Sequence, residues 1–460
     1  MFRARLARLV FLCALLVCSV SLLCAQTESG SKSGSDTHPC GTFSDYLIQN
    51  SLTASSVYPP AHLPVELMPS RYRELRRVMD GYRLTGMPFV AYDGKGLSLP
   101  APGDDPALYY VVPAVARVSH LGLDGSINLV LIAGVLLGLV VGFAGCLYAL
   151  QSTPGKVVSC LALLLLTAIA CRTGDVYVFE FATTVACVPW AICLIRHKST
   201  MQWKFNVAIF LFGLACGISS LFRLGSAFPA LTFLGILLLL GPGTKALSRA
   251  VLVITLLIGV AIPHMYLRRV LNRSDMFLQQ RVAGHVPGDS RHVFGHFSYV
   301  GLGFLSNPYV PGGICDEVAK DKVRSIASNA IYMSSEYDRI LRSQVLSMFK
   351  QHPAFAAFTI FAKLGVVTGL IVLFANVGLI AAFWYRLPLQ MELAFWTAFA
   401  VTAAPLILMA PLPLYCLGII SLAVVYGVVG LDHFLATRKP KRSHLVVSDY
   451  EDDRIPISVK

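Results

Sequence analysis

The sequence predicts an all-α, polytopic integral membrane protein, and two observations carry that prediction. The chain of 460 residues is 55% hydrophobic and only 14% charged, with a mean hydropathy of +0.66. These values are too apolar for a soluble protein. Apolar runs also recur along the chain with short loops between them, as helices that cross a bilayer require. We therefore expect about ten transmembrane helices and two large external loops.

The first apolar run has the features of a targeting segment. Arginines precede it, it extends from Leu9 to Leu23, and sequence rich in Ser and Gly follows residue 25. Residues 1–25 are therefore a signal peptide or an uncleaved signal anchor. Both alternatives put residue 26 onward outside the cytoplasm.

Residues 26–126 form the first external region in this interpretation. A basic segment at 71–77 has the composition of a helix, and a second helix is predicted to lie along the membrane surface and to kink at Pro113. The apolar face of this second helix consists of Leu108, Val111, Val112, Val115 and Val118.

The remaining apolar runs predict further spans in two groups. The transmembrane bundle 127–267 has runs at about 127–150, 157–170, 178–195, 205–221, 229–240 and 251–265. The C-terminal group 354–436 has runs at about 354–383, 393–410 and 414–435. A second external region, 268–353, separates the groups, and residues 437–460 are expected to be a cytoplasmic tail.

Charges in the loops fix the orientation. One side carries most of the basic loop residues, namely Lys156, Arg196, Lys198, Lys204, Lys245 and Arg249. Because basic loops stay in the cytoplasm, this side is inside, in agreement with a first span whose N-terminus is inside. The net charge of +13 lies largely in such loops and at the termini. Membrane topology therefore explains the charge, and we expect no nucleic-acid partner.

The 12 cysteines include no CxxC pair, so they indicate no metal site. Cys40 and Cys315 both fall in the external regions and are candidates for a disulfide. Two unpaired thiols are one alternative, and a bond to Cys171 at the end of a span is another.

Two adjacent acids lie on a turn in the first external region. Asp104 and Asp105 stand between Gly103 and Pro106 and directly precede the apolar run 108–112. They are therefore expected where a polar loop meets the membrane face. A carboxylate there is placed to act as general base for a hydroxyl or amine that attacks the anomeric carbon of a sugar. Helix capping is the alternative for one of the two, because Asp105 before Pro106 is a favourable helix start.

Other ionisable groups are predicted at span ends on the same external side. They are Arg172, Asp175, Glu180, Arg223, Arg268 and Arg269, with a patch that contains His285, His292 and His296. Such groups tend to mark a site, and the planar fork of arginine suits the phosphate of a lipid leaving group. The plainer alternative is that Arg172 pairs with Asp175. Arg268 and Arg269 would then simply lie among lipid headgroups.

The second external region contains a histidine-rich segment. Glycines, a proline and interleaved aromatic residues between His292 and Tyr309 predict an ordered loop. A zinc site at His292 and His296 is disfavoured, because Gly295 interrupts the helix that their spacing needs and no HExxH motif is present. The later segment 334–342 predicts an amphipathic helix that leads into the next span.

The layout resembles that of the GT-C superfamily of integral-membrane glycosyltransferases, which includes protein O-mannosyltransferases and the aminoarabinose transferases that act on lipid A. The segment 103–110, Gly-Asp-Asp-Pro-Ala-Leu-Tyr-Tyr, is similar to the acidic first-loop motif of the family. The segments 296–303 and 307–309 look like a loop of uncharacterised bacterial members. The acidic motif is Asp-Asp where several members have Asp-Glu, which leaves open which carboxylate is the base.

The resemblance implies an inverting transfer from a polyprenyl-phosphate sugar donor to a glycan, lipid or protein acceptor. The implied place is the periplasmic or exterior face of a bacterial inner membrane. The implied catalytic residues are Asp104, Asp105 and Asp175. The resemblance also implies that an arginine such as Arg223 holds the donor phosphate. Arg268 and Arg269, at another external span end, are further candidates for this phosphate. The candidates for substrate binding are Tyr109, Arg172, His292 and His296. The resemblance implies no particular cofactor, and it leaves open whether a divalent cation takes part in the reaction.

A transporter or flippase for a lipid-linked or anionic solute is the alternative function. It would carry polar groups near the middle of the membrane and often an internal repeat. The predicted spans are apolar through their centres, and no repeat is visible. A scaffold protein would leave the acidic turn and the shared side of the arginines unexplained. The sequence therefore favours an enzyme.

Overall fold

The structure is a computed structural model that describes residues 69–100, 105–196, 202–241, 246–283, 285, 294–311 and 313–438. Helices dominate these ranges, and the chain is a polytopic integral membrane protein, as predicted. In chain order the helices are α1 Pro69–Thr85, α2 Leu108–Ser119, α3 Leu123–Ala149, α4 Thr153–Thr173, α5 Val178–Arg196, α6 Gln202–Phe222, α7 Phe228–Leu240, α8 Ala246–Arg281, α9 Phe294–Leu302, α10 Asp316–Ile326, α11 Ser335–Gln351, α12 Pro353–Trp384, α13 Leu389–Leu408 and α14 Leu417–Arg438. A 3-10 turn at Pro413–Cys416 precedes α14, and a short antiparallel hairpin pairs β1 Ala91–Tyr92 with β2 Leu97–Ser98.

Eight helices in these ranges are long and apolar enough to cross a bilayer: α3, α4, α5, α6, α8, α12, α13 and α14 with its 3-10 turn. Each coincides with a predicted span. The predicted span at 229–240 is also a helix, α7, but its 13 residues are shorter than the bilayer core requires. The first predicted span, within residues 1–25, lies outside the described residues.

Glycines let α3 and α5 approach closely in the centre of the bundle. A Cβ added at Gly138 would lie 2.5 Å from the Cα of Ala182, and one added at Gly142 would lie 2.6 Å from the carbonyl oxygen of Val185. Small residues at such spacing are the usual means by which membrane helices pack backbone to backbone. α5 is accordingly buried on most of its surface.

The bundle has two chemically different ends. At one end, Asp432 near the end of α14 accepts hydrogen bonds from the backbone N–H groups of Gln151 and Ser152, at 3.0 and 2.7 Å. Of the predicted inside basic residues, those that the structure describes are also at this end, namely Lys156, Arg196, Lys204 and Arg249. The connections from α4 to α5, from α6 to α7 and from α13 to α14 all lie at the opposite end.

The elements outside the bundle refine two sequence predictions. α8 continues past the predicted boundary at 267 to Arg281, so the second external region begins inside a helix. The prediction of a loop between His292 and Tyr309 is wrong, because residues 294–302 form the helix α9. Gly295 does not break this helix. Its N–H donates to Asp338 Oδ1 at 2.6 Å, and its lack of a side chain lets α9 lie against α11.

The predicted amphipathic helix at 334–342 is confirmed as α11, and the basic helix at 71–77 is confirmed as part of α1. The second helix predicted in the first external region is α2, which contains Pro113, and its position along the membrane surface stays a prediction. α9, α10 and α11 share a small hydrophobic core of their own, formed by Tyr299, Val300, Leu302, Val310, Ala319, Val323, Tyr337 and Leu341.

Candidate active site

Arg71 joins two buried carboxylates at the end of the bundle opposite the basic loops. Its Nε donates to Asp105 Oδ2 at 2.7 Å, and its Nη1 donates to Asp175 Oδ2 at 2.6 Å. The side chains of Asp105 and Asp175 are only 1% and 5% exposed. Burying a carboxylate without a partner is costly, so one guanidinium that serves two acids holds both in place.

Asp105 keeps one oxygen open. Its Oδ1 is buried and accepts no hydrogen bond from any residue in the described ranges. Burial raises the pKa of this carboxyl, Arg71 opposes the rise and Asp175 adds to it, so that the pKa lies above its ordinary value. A buried carboxylate oxygen with open lone pairs is suited to accept a proton from a substrate.

The capping role weighed for Asp105 is wrong. α2 begins at Leu108, and its N-cap residue, Ala107, makes no side-chain hydrogen bond. The Asp105 carboxylate turns to Arg71 instead. Ala107 N–H donates to the carbonyl of Leu221 at 2.9 Å, which fixes the acidic turn against the end of α6.

Asp175 lies in the short loop between α4 and α5. It has a left-handed φ of 57° and follows Gly174, whose φ is 69°. Aspartate is one of the few residues other than glycine that adopt this conformation readily. Its Oδ1 accepts from the N–H of Val176 at 2.7 Å, and its Oδ2 accepts from Arg71. Both oxygens are therefore engaged, and the predicted alternative partner, Arg172, is exposed.

A second arginine lies beside this cluster. The guanidinium carbon of Arg223 is 4.5 Å from the centre of the Tyr177 ring and 5.9 Å from that of Tyr415. Arg71 is 5.6 Å from the same Tyr177 ring, so this aromatic side chain lies near both cations. Nε of Arg223 lies 3.3 Å from Glu180 Oε1, which orients the guanidinium.

The second external region contributes a histidine and carboxylate pair. His296 is buried on α9, with Nδ1 2.9 Å from Tyr337 Oη and Nε2 3.1 Å from Asp316 Oδ1. The hydrogen bond to His296 is the main cause that holds the pKa of Asp316 below its ordinary value, and the charge of Arg71 acts in the same direction.

The structure brings together three of the predicted site residues, Asp105, Asp175 and Arg223. Asp104 and His292 fall outside the described residues. Tyr109 is buried in the main core directly after the acidic turn.

Arg268 and Arg269 are exposed on the outer part of α8. They follow Tyr266, whose hydroxyl lies 3.0 Å from that of Tyr110 on α2. Among the described contacts, neither arginine joins the Arg71 cluster. His296 lies in the second external region, with Asp316 and Tyr337, as described above.

Sequence reasoning missed Arg71, Tyr177, Tyr415 and Asp316 as parts of the site. A signal for Arg71 was present in α1, because it precedes Leu75 and Val78 at helical spacing and so lies on the apolar face of that helix. Of the other arginines of this segment, Arg73 and Arg76 are exposed, and Arg77 pairs with Glu74.

Cys315 is disulfide-bonded, which excludes the alternative of an unpaired thiol at this position. Cys171 is free, so it is not the partner. Cys40, the predicted partner, lies outside the described residues.

No protein-family model matches the chain, and no curated protein matches it. Among solved structures, ArnT from Cupriavidus metallidurans bound to undecaprenyl phosphate is similar at 15% identity and a TM-score of 0.35, covering 82% of this chain and 74% of that chain. The apo state of the same protein matches at 14% identity and a TM-score of 0.35, covering 81% of this chain and 74% of that chain. At this identity and TM-score the likeness decides neither the family nor the activity.

Proposed function

We propose that the chain is a membrane glycosyltransferase of the GT-C type, which transfers a sugar from a polyprenyl-phosphate donor to a nucleophilic acceptor at the exterior face. The observation that carries the proposal is the open, buried Oδ1 of Asp105, held at the end of a membrane bundle beside two arginines. The resemblance of the segment 103–110 to the acidic motif of that superfamily supports the same reaction.

The reaction is a single displacement with inversion. The acceptor hydroxyl or amine attacks the anomeric carbon of the donor and loses its proton to Asp105 Oδ1. The bond between the anomeric carbon and the phosphate oxygen breaks, and the lipid phosphate leaves with the electron pair. A carboxylate supplies the base, and a fixed cation stabilises the charge that develops on the phosphate.

Asp105 is favoured over Asp175 as the base because of their hydrogen bonds. Both oxygens of Asp175 accept hydrogen bonds within the protein, whereas Asp105 uses only Oδ2 for Arg71. We assign Asp175 a positioning role, since it shares Arg71 with the base. Arg71 holds Oδ2 of Asp105 and so leaves Oδ1 for the acceptor.

Arg223 is the cation that we assign to the donor phosphate. Its guanidinium is buried at a span end, lies close to the Tyr177 ring and is oriented by Glu180. A preorganised guanidinium of this kind binds phosphate oxygens without further ordering. Arg268 and Arg269 are exposed at the outer part of α8, where we expect them to contact the same phosphate as the donor enters from the bilayer.

The site is assigned to the exterior face because the basic loops lie at the other end of the bundle. The positive-inside bias puts that other end in the cytoplasm. In a bacterium this corresponds to the periplasmic side of the inner membrane.

The test is transfer of radiolabelled sugar from a panel of polyprenyl-phosphate sugars to endogenous acceptors in membranes. We expect Asp105→Asn to lower the rate by roughly a hundredfold or more at matched expression. Asp175→Asn should lower it less. The control is Asp80→Asn, which makes the same change on the outer surface of α1 and should leave the rate unchanged.

Equal transfer by wild type and Asp105→Asn would move the base away from this residue. No transfer by the wild type from any donor in the panel would contradict the enzyme and favour a transporter.

A further inference from the structure

Asp316 is an exposed carboxylate that a buried histidine holds in place. Its side chain is 59% exposed, whereas the side chain of His296 is 1% exposed, and the two are joined by the hydrogen bond of 3.1 Å. The other ring nitrogen of His296, Nδ1, is 2.9 Å from Tyr337 Oη. A neutral imidazole satisfies both contacts when Tyr337 donates to Nδ1 and the Nε2 proton is donated to Asp316.

An exposed carboxylate needs no buried hydrogen-bond partner, yet Asp316 has one in His296. An exposed aspartate is normally solvated by water, and burying an imidazole requires that both of its nitrogens find partners. The disulfide bond of Cys315, the residue directly before Asp316, also restrains the backbone at this point. The carboxylate is thus fixed in direction while it remains open to water.

The second external region is continuous with the candidate active site. Phe304 and Leu305, which follow α9, share a hydrophobic cluster with Leu412, and Tyr415 packs against that cluster. The Tyr415 ring is 5.1 Å from the ring of Tyr177, which lies near both Arg71 and Arg223 in the site. Ile314, two residues before Asp316, packs against the same cluster. The start of α10, and with it Asp316, therefore lies beside the segment that carries Tyr415.

We propose that Asp316 binds the acceptor, by accepting hydrogen bonds from its hydroxyl or amino groups, and that His296 and Tyr337 are positioning residues for this contact. The inference rests on the proposed function. Two features favour the acceptor over the donor. The carboxylate repels the donor phosphate, and Asp316 lies on α10, outside the candidate spans, where a substrate from water arrives first.

Asp316→Asn is the decisive variant. The amide oxygen of asparagine still accepts the proton of His296, so the variant removes the negative charge and keeps the positioning contact. The matched control is Glu317→Gln, which makes the same change at the next residue, whose side chain is 63% exposed and pairs with Lys320.

The acceptor in this experiment is the molecule that the wild-type enzyme labels in the membrane assay, purified and titrated at fixed donor. We expect Asp316→Asn to raise the KM for this acceptor roughly tenfold or more, as the loss of a hydrogen bond to a charged group does, with kcat within about twofold of wild type. The KM for the donor and all constants of Glu317→Gln should stay unchanged. His296→Gln should also raise the acceptor KM.

A rise in the donor KM in place of the acceptor KM would overturn the assignment, because the carboxylate would then bind the donor sugar. Loss of kcat with an unchanged acceptor KM would overturn it as well. If Asp316→Asn does not fold, Asp316→Glu, which keeps the charge but displaces it, must raise the acceptor KM. A failure of the proposed function is distinct from all of these results, because the wild type would then label no acceptor.

Discussion

Arg71 Nη1 lies 2.6 Å from Asp175 Oδ2 and so joins residues that are 104 positions apart in the chain. The same guanidinium holds Asp105 through Nε. This side chain of α1 therefore neutralises one acid on the turn before α2 and one in the loop between α4 and α5. Its removal should affect both the stability of the protein and the geometry of the base.

Arg71→Met should destabilise the protein by about 3–5 kcal/mol, because two buried carboxylates would lose their common cation. The free energy of unfolding is measured on the purified protein in detergent. Arg73→Met, which removes an exposed arginine two positions away, is the control and should change it by less than about 0.5 kcal/mol. Equal effects of the two substitutions would show that the bridge contributes nothing to stability.

The pH dependence of transfer should reveal the raised pKa of Asp105. The base must be ionised to accept a proton, so activity falls as the pH drops through this pKa. Burial is the main cause of the rise, which moves the acid limb of kcat/KM above the ordinary value of about 4. A limb at or below pH ~4 in the wild type would contradict the assignment of Asp105.

Gly138→Ala should destabilise the bundle by about 1–3 kcal/mol, because the new Cβ would lie 2.5 Å from the Cα of Ala182 and must push α3 and α5 apart. Gly235→Ala on α7 is the matched control, since a Cβ added there meets no atom within 4 Å. This control should be neutral or slightly stabilising through its higher helix propensity. Unfolding in detergent separates the two results, and equal stabilities would argue against close packing at Gly138.

Lys363→Met should loosen the end of α13. Lys363 is only 2% exposed, and its Nζ donates to the carbonyl oxygens of Ile407 at 3.0 Å and Leu408 at 3.3 Å. Removing this donor should cost about 1–3 kcal/mol of unfolding free energy. It should also lower transfer, because the segment after α13 carries Tyr415. Lys350→Met, at an exposed lysine on α11, serves as the comparison and should leave both quantities unchanged.

The order of apolar and polar segments was enough to predict most of the fold. Each predicted span from 127 onward is a helix, since about 20 apolar residues between polar loops have few other structures available in a bilayer. The predicted convergence of Asp105, Asp175 and Arg223 also followed from topology alone, because alternating spans put every second loop at the same end. Lys363 is an exception to the prediction that the spans are apolar inside. Its partners are backbone carbonyls, which no sequence pattern marks.

The parts that the sequence did not predict depend on contacts between distant segments. Gly295 suggested a break in a helix, but in the structure its missing side chain lets α9 approach α11. Oδ1 of Asp105 is open because, among the described residues, a single neighbouring side chain donates to Oδ2 and none donates to Oδ1. That neighbour is Arg71, which only tertiary packing selects from a segment with several arginines.

The bridge through Arg71 also sets an order of assembly during biogenesis. Arg71 and Asp105 both precede every described span, whereas Asp175 lies between α4 and α5, so the bridge can be completed only after these two spans are inserted. Until α1 docks, the acids must stay hydrated or carry protons. We therefore expect a chain whose spans are inserted but whose α1 is undocked to be a membrane-integrated precursor, which docking of α1 completes by forming the bridge.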